Sequence, residues 1–434
     1  MKAKLLFFTL LLLLISQMNL HSQSLNVRVG TYMYSWQRMD SLDMGAGTVK
    51  TTHLRGYQDY MLDISSRKWE FSTNAQTEED ITEKSGRGFG YRIYNAFIKG
   101  SNLFNVLDVK LGRQYVSQGV GRGTIDGINF KLKLGKEKQY QLSGFGGALT
   151  PLLYDFDNYP KLKDSYGFGA MFSYYGVKNL MLGVSYYNKN NKPDAYYTTR
   201  LDSILNTQTV FIEPDSKANQ MAGFDMAYYQ TKYEFYGKLY MDIYTKRIYR
   251  GEFNGSYRLP QNFKISAGYL YHEPLISYNT IFWVFTHTAN QEIYANVDYL
   301  WRKNFNFYAG VSDVLYKDDH SLKIQAGLSH PNFGLSFVKY TGFAGESDGV
   351  YGYFNYELIW SKLSLTSGLN YSRYKLDSYA TEDRVDSFTG LLGLVYRPIP
   401  RLTVDLQGQF LNNRIYKSDT RMMLGVTYWL FSKL

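Results

Sequence analysis

Residues 419–434, DTRMMLGVTYWLFSKL, decide the fold. Met422, Leu424, Val426, Tyr428 and Leu430 recur at every second position, with Arg421, Gly425 and Thr427 between them. A period of two puts successive side chains on opposite faces of an extended chain, so this is a β-strand with one apolar and one more polar face. The pattern repeats upstream. Leu402, Val404, Leu406 and Phe410 alternate with Thr403, Asp405, Gln407 and Gln409. Tyr233, Phe235, Leu239 and Met241 oppose Glu234, Lys238 and Asp242, and Ile293, Val297, Tyr299 and Trp301 oppose Glu292, Asn296 and Asp298.

Candidate strands of this kind run from 25–38 to 421–431, commonly about ten residues long, which is long for a soluble sandwich and right for a tilted membrane crossing. Aromatic residues such as Trp301, Tyr356, Trp360, Tyr396 and Tyr428 sit at the ends of apolar rows, where a membrane barrel carries its interfacial girdles. Connections alternate in length. Short turns fall at 65–67, 230–232, 302–304, 330–332 and 361–362, and longer polar segments at 39–50, 150–165, 190–217, 273–289 and 375–386. Such asymmetry is the pattern of tight periplasmic turns and longer external loops. We expect an all-β fold: an antiparallel transmembrane β-barrel of meander topology with 18–22 strands over residues 23–434.

Composition agrees. The chain has 42 Tyr, 38 Gly and only 9 Pro in 434 residues, and a membrane barrel has two interfaces and a lumen in which to place hydroxyl-bearing rings. Absence of Cys excludes disulfides, thiolate nucleophiles and Cys-ligated metal centres, as well as a lipoprotein anchor. Lys2 and Lys4, the apolar run 5–15 and Leu20-His21-Ser22 read as a signal peptide over residues 1–22. That run is too short for a membrane helix, which needs about 20 apolar residues. The last three residues, Ser432-Lys433-Leu434, also spell a peroxisomal address, which the export signal contradicts.

The terminal strand resembles the closing strand of Gram-negative outer-membrane barrels, which insertion machinery reads. Here Leu434 replaces the usual terminal Phe, and Ser432 interrupts the aromatic run. A second segment, Leu111-Gly112-Arg113-Gln114 followed by Gly119-Val120-Gly121-Arg122-Gly123-Thr124-Ile125-Asp126-Gly127, resembles alginate-export-like and related porin-type barrels. The resemblance implies a wide barrel of the solute-channel class in the outer membrane, in contact with lipid and lipopolysaccharide.

Arg113 is in phase with Leu107, Val109 and Leu111, so regular pleating aims it at lipid. A rim position or a bulge would relieve that cost. The glycine run lacks the Lys-Ser/Thr of a phosphate loop and reads as turn chemistry, and nothing in the chain points to nucleic acid. The six His have no metal-ligand spacing, Asp318-Asp319-His320 has no second acidic pair to make a protease site, and no cofactor motif appears. An enzyme is therefore not expected.

The inward-facing bases and acids are nearly balanced, so the formal charge of +10 belongs mainly to turns, loops and rims. Cross-strand pairing is the plain reading of the lumen charges, and a charged constriction at Arg92, Lys110 and Lys131 is the sharper one. Gln114 and Glu252 join them as pore-lining candidates, as do the inward Tyr236, Tyr240, Tyr294, Tyr351 and Tyr353, which could stack on sugar faces or merely narrow the tube. The functional expectation is a passive porin-like channel for small polar or saccharide solutes. The alternative is a non-conducting docking barrel that binds a surface partner through its loops. Loop 273–289, with Ile281-Phe282-Trp283-Val284-Phe285, could fold inward, extend a strand or meet a partner.

Overall fold

The computed structural model describes residues 24–40, 50–82, 90–150, 161–192, 195–201, 204, 206–213, 219–275, 289–317, 319–342, 345–375 and 384–433. The leader at 1–22 and the apolar run at 281–285 lie outside the described residues.

Alternating apolar and polar residues produce extended segments throughout. The first are β1 (Ser24–Asp40), β2 (Lys50–Ser65), β3 (Trp69–Asp80), β4 (Gly90–Leu103), β5 (Leu107–Gln118) and β6 (Gly121–Leu134). There follow β7 (Tyr140–Leu149), β8 (Ser165–Tyr174), β9 (Leu180–Asn191), β10 (Tyr196–Leu201), β11 (Thr207–Ile212) and β12 (Asn219–Tyr229). Next come β13 (Tyr233–Asp242), β14 (Arg247–Arg258), β15 (Phe263–His272), β16 (Asn290–Trp301), β17 (Phe305–Leu315) and β18 (His320–Ser329). The chain closes with β19 (Phe333–Gly342), β20 (Glu346–Ile359), β21 (Leu363–Lys375), β22 (Val385–Ile399), β23 (Leu402–Asn412) and β24 (Tyr416–Lys433).

Apart from β10 and β11, each strand pairs antiparallel with the next, and β9 pairs directly with β12. The last strand returns to the first: Ser24 faces Lys433, Tyr32 faces Gly425 and Arg38 faces Asp419. Among the described residues this is a closed 22-stranded meander, at the upper bound of the sequence expectation. Closure leaves no wall strand as a free edge, which is what permits strands to cross lipid.

The two faces separate as the alternation requires. Met422, Leu424, Val426 and Tyr428 are exposed on the outside, whereas Gly425 is buried and Thr427 half-buried inside. Val184, Leu239, Ile293, Leu369 and Leu406 continue the outer apolar surface around the barrel. Trp301, Tyr356, Trp360, Tyr396 and Tyr428 cluster at the short-turn rim. At that rim Asn105, Asn179 and Asn262 take φ of 65°, 65° and 64°, a left-handed conformation asparagine tolerates better than most residues. Both described termini of the barrel lie on the same rim. At strand spacings near 4.8 Å and tilts near 40°, 22 strands enclose a cylinder roughly 40 Å across. Wall side chains alone do not fill so wide a tube.

β10 and β11 form a separate hairpin within the long connection between β9 and β12, with Tyr196 opposite Ile212. Loop 190–217 thus contains ordered structure that its polar composition concealed.

Candidate functional site

The lumen owes its shape to a hairpin that leaves the wall. β5 pairs with β4 no further than Arg113 opposite Ala96, and β6 pairs with β7 no further than Ile125 opposite Leu149. Beyond those points Gln114–Gln118 pairs with Gly121–Ile125 as a two-stranded ribbon turned at Gly119 and Val120, held at its root by the Thr150 amide, which donates to the Thr124 carbonyl at 3.2 Å. Its tip reaches β9, three strands away from β6. The Val120 amide donates to Ser185 Oγ at 3.0 Å, and Tyr187 Oη donates to the Arg122 carbonyl at 3.2 Å. Ser185 and Tyr187 alternate with the exposed Val184 and Tyr186, so the tip lies inside the barrel.

The hairpin rests on the wall through apolar contact. Val116, Val120 and Ile125 cluster with Phe145, Tyr187, Met221, Tyr240 and Tyr249, and none of the hairpin's three is more than 3% exposed. Removing such side chains from water supplies ~1.5–3 kcal/mol each. The opposite face, Tyr115, Ser117 and Arg122, is exposed to the open lumen. Arg122 has no carboxylate partner at ion-pair distance among the described residues.

Three devices make the departure possible. Gly112 has φ of 118°, and a Cβ there would collide with the Ala96 carbonyl, so only glycine fits where β5 bends off β4. Gln114 is 1% exposed and its Nε2 donates to the Lys110 carbonyl at 3.1 Å and the Gly127 carbonyl at 3.3 Å, tying off backbone acceptors at the bend. Arg113 keeps the outward direction that its phase requires. It meets Asp126 through two bonds of 2.8 and 2.9 Å and donates to the Ile93 carbonyl at 3.1 Å, an acceptor on β4 where β5 has left. Neither the rim position nor the bulge considered from sequence is used; a cross-strand carboxylate neutralises the charge instead.

Reading the glycine run as turn chemistry alone therefore missed its main consequence. Gln114 and Tyr240, expected to line the pore, are both buried: Gln114 lies at the root of the hairpin itself, and Tyr240, 3% exposed, is covered by the hairpin and donates to Asp225 Oδ1 at 2.8 Å. Lys110 and Lys131 are brought together in the lower lumen, on registers that pair Lys110 with Lys99 and Asp108 with Lys131. Lys110 Nζ lies 4.1 Å from the centre of the Phe97 ring. Arg92 does not join them. It sits seven residues above Lys99 on β4, roughly 20 Å along the strand, over the ring of Tyr94.

Tyr236 is half-buried beneath Lys238, whose Nζ is 4.9 Å from the ring centre. Glu252 takes Arg250 at 2.7 Å. Tyr351 lies exposed on the inner face, while Tyr353 donates to the His330 carbonyl at 2.8 Å in the short-turn rim. Tyr294 donates to Asn254 across β15. Cross-strand neutralisation recurs: Lys99 pairs with Glu70 at 3.1 Å, Lys133 with Asp108 at 2.7 Å and Lys264 with Glu234 at 3.0 Å.

One patch was not brought together by the sequence reading, although Arg55 and Arg421 were expected to face inward. Trp36 stacks on His53 with ring centres 4.6 Å apart, and Arg55 lies 5.4 Å from the Trp36 ring. Arg38 and Arg421 converge on the fully buried Asp419 at 3.1 and 2.8 Å. Period-two alternation around Trp36 already placed these residues on the face of Tyr32 and Tyr34, but their convergence depends on the β24–β1 closure. The described residues hold no group of acidic, His or Cys side chains arranged to bind a metal.

No family model matches the chain, and no curated protein matches it. Among solved structures it is similar to the P pilus usher PapC translocation pore, at 8% identity and TM-score 0.47, over 93% of this chain and 99% of that one. It is also similar to OccAB4 of Acinetobacter baumannii, at 10% identity and TM-score 0.42, over 95% and 99% of the two chains. A BenF-like porin from Pseudomonas fluorescens gives 11% identity and TM-score 0.41 over the same shares. Likeness at this level concerns barrel shape alone, and closure itself is established by the β1–β24 register.

Proposed function

We propose that the chain is a passive porin-like channel of the Gram-negative outer membrane for small polar or saccharide solutes, with no catalytic step. The observation that carries this reading is the hairpin tip held inside the barrel by Ser185 and Tyr187. A 22-stranded tube without filling would pass solutes indiscriminately. Packing one hairpin against β7–β14 narrows it while leaving the wall of β16–β24 and β1–β3 to water. That remaining wall is lined by amides, hydroxyls, tyrosines and charges of both signs, which suits a polar solute that must enter and leave readily.

Lipid contacts the outer apolar face, and lipopolysaccharide meets the charged long-loop rim. β24 serves as the signal for the insertion machinery, and residues 1–22 direct export. Liposome swelling with solutes of graded size tests the channel. Swelling in small sugars that declines with solute size supports it, and impermeable vesicles holding folded protein reject it. In that case the docking reading gains, because the β10–β11 hairpin exposes Tyr196, Tyr197 and Phe211 beyond the barrel.

A further inference from the structure

We infer that the inner wall over β16, β17 and β18 carries a binding subsite for one sugar ring of a neutral saccharide. The inference rests on the channel reading and names the chemistry that the lumen favours. Register brings the site together: Tyr294 faces Ser312 and Ser312 faces Lys323, while Asn296 faces Gly310 and Gly310 faces Gln325. Ile293, Val297 and Val311 between these positions are exposed on the lipid side, so the polar set points inward.

The set surrounds a niche of about 200 Å³ in the lumen wall, to which Glu292 also contributes. Gly310 makes it concave, because a Cβ there would run into Asn296 Oδ1. Tyr294 forms one side, its hydroxyl held by Asn254.

Part of the polar capacity in the niche is unused, although Lys323 Nζ lies 5.7 Å from the centre of the Tyr340 ring. Ser312 is 6% exposed, and its hydroxyl has no hydrogen-bond partner among the described residues. A buried hydroxyl is ordinarily bonded, so this one is available to a ligand. Glu292 and Lys323 make no ion pair among the described residues, in a lumen where Lys99, Lys133, Lys264 and Arg250 all have one. Gln325 and Asn296 share only a long contact of 3.4 Å. The niche therefore offers an acceptor-only carboxylate, a donor-only ammonium, two amides and a hydroxyl around a small floor with an aromatic side.

A simple anion would use Lys323 and be repelled by Glu292, and a simple cation would meet the reverse. An amino-acid zwitterion would satisfy both charges and leave Ser312, Asn296 and Gln325 unused. A sugar ring presents hydroxyls around its whole edge, each both donor and acceptor, and apolar C–H faces for Tyr294.

Current through single channels in planar bilayers, with maltotriose added, tests the subsite. Maltotriose should interrupt the current transiently, and L-glutamine at the same concentration should not. Ser312→Val should raise the half-blocking concentration about tenfold, the loss expected when one buried hydrogen bond to the ligand is removed. Lys323→Gln should weaken block without abolishing conduction. Heat-modifiable gel mobility confirms that each variant is folded. Equal block of Ser312→Val and wild type, or block by glutamine and not by maltotriose, overturns the subsite while leaving the channel intact. A folded barrel that never conducts overturns the channel reading. Calorimetric titration of the detergent-purified protein with maltotriose then decides the subsite alone: heat lost in Ser312→Val supports it, and no heat overturns it.

Discussion

The backbone amide of Val120 donates to the hydroxyl of Ser185 at 3.0 Å, which fastens a hairpin tip to a strand three places further round the barrel. Both groups are buried, so the bond forms in a site from which water is excluded. One neutral hydrogen bond contributes ~1 kcal/mol net, and the larger share of the fastening comes from Val116, Val120 and Ile125.

Loosening that contact should open the channel. Gly119 has φ of 54° and a Cβ there would collide with Ser185 Oγ, so Gly119→Val combines a backbone penalty of ~1–3 kcal/mol with a clash at the tip. Single-channel recording should give larger, noisier conductance than wild type. Ser185→Ala should move the same way by less. Unchanged conductance in both would mean that the tip does not bound the conducting path.

The ion pair at the root of the hairpin should matter more than its surface counterparts. Arg113 is 10% exposed, faces the lipid side and depends on Asp126. Asp126→Asn leaves a desolvated guanidinium without its counter-charge, which costs ~3–5 kcal/mol in comparable buried pairs. The midpoint of heat-dependent gel mobility should fall markedly for Asp126→Asn. The double change Arg113→Met with Asp126→Met should recover much of the loss. A double variant as unstable as the single one would count against mutual neutralisation.

Outside the membrane, the Lys192–Glu213 pair at 2.9 Å ties the end of β9 to the end of β11. Its hydrogen bond to Lys192 holds the Glu213 carboxyl below its ordinary value of 4.5. The folded-state value is depressed, so the contact contributes fully above pH 4.5 and is lost as pH falls through the lower folded value. Proteolysis of the β10–β11 hairpin should accelerate in acid below that point. Glu213→Gln should remove the acid-dependent step, and a variant retaining it would assign the step to another group.

Lys131 and Arg92 occupy different levels of the lumen, so reversing their charges should have separable effects. Lys131→Glu, beside Lys110, should shift the reversal potential in a KCl gradient towards cation preference. Arg92→Glu, near the long-loop rim, should act chiefly through capture of ions at the mouth and be screened by added salt within a Debye length of about 10 Å. Arg122→Glu, on the exposed face of the hairpin, should shift selectivity at least as far as Lys131→Glu. Reversal potentials unchanged from wild type in all three would remove fixed charge from the selectivity mechanism.

Strand positions and the direction of each face could be read directly, because period two survives along single segments such as 402–412 and 421–431. The inward ribbon could not, since the bond from the Val120 amide to Ser185 joins residues far apart in sequence. Its local trace was nevertheless present. Arg113 stands in phase with Leu111, Asp126 stands in phase with Ile128, and antiparallel pairing sets the two charges side by side on the lipid face. A pair of outward charges flanked by Gly112 and Gly127 marks the place where two strands leave the wall. The β16–β18 niche had no such trace, because Tyr294, Ser312 and Lys323 become neighbours only through register across three strands.

Paired single-channel recordings of wild type and a variant with Val116–Gly123 replaced by a short turn show whether the inward hairpin bounds the conducting path. Wild type should conduct stably, and the shortened hairpin should conduct more while keeping its heat-modifiable mobility. A folded wild-type barrel that carries no current would exclude a channel, and a shortened variant with unaltered conductance would mean that the hairpin does not narrow the pore.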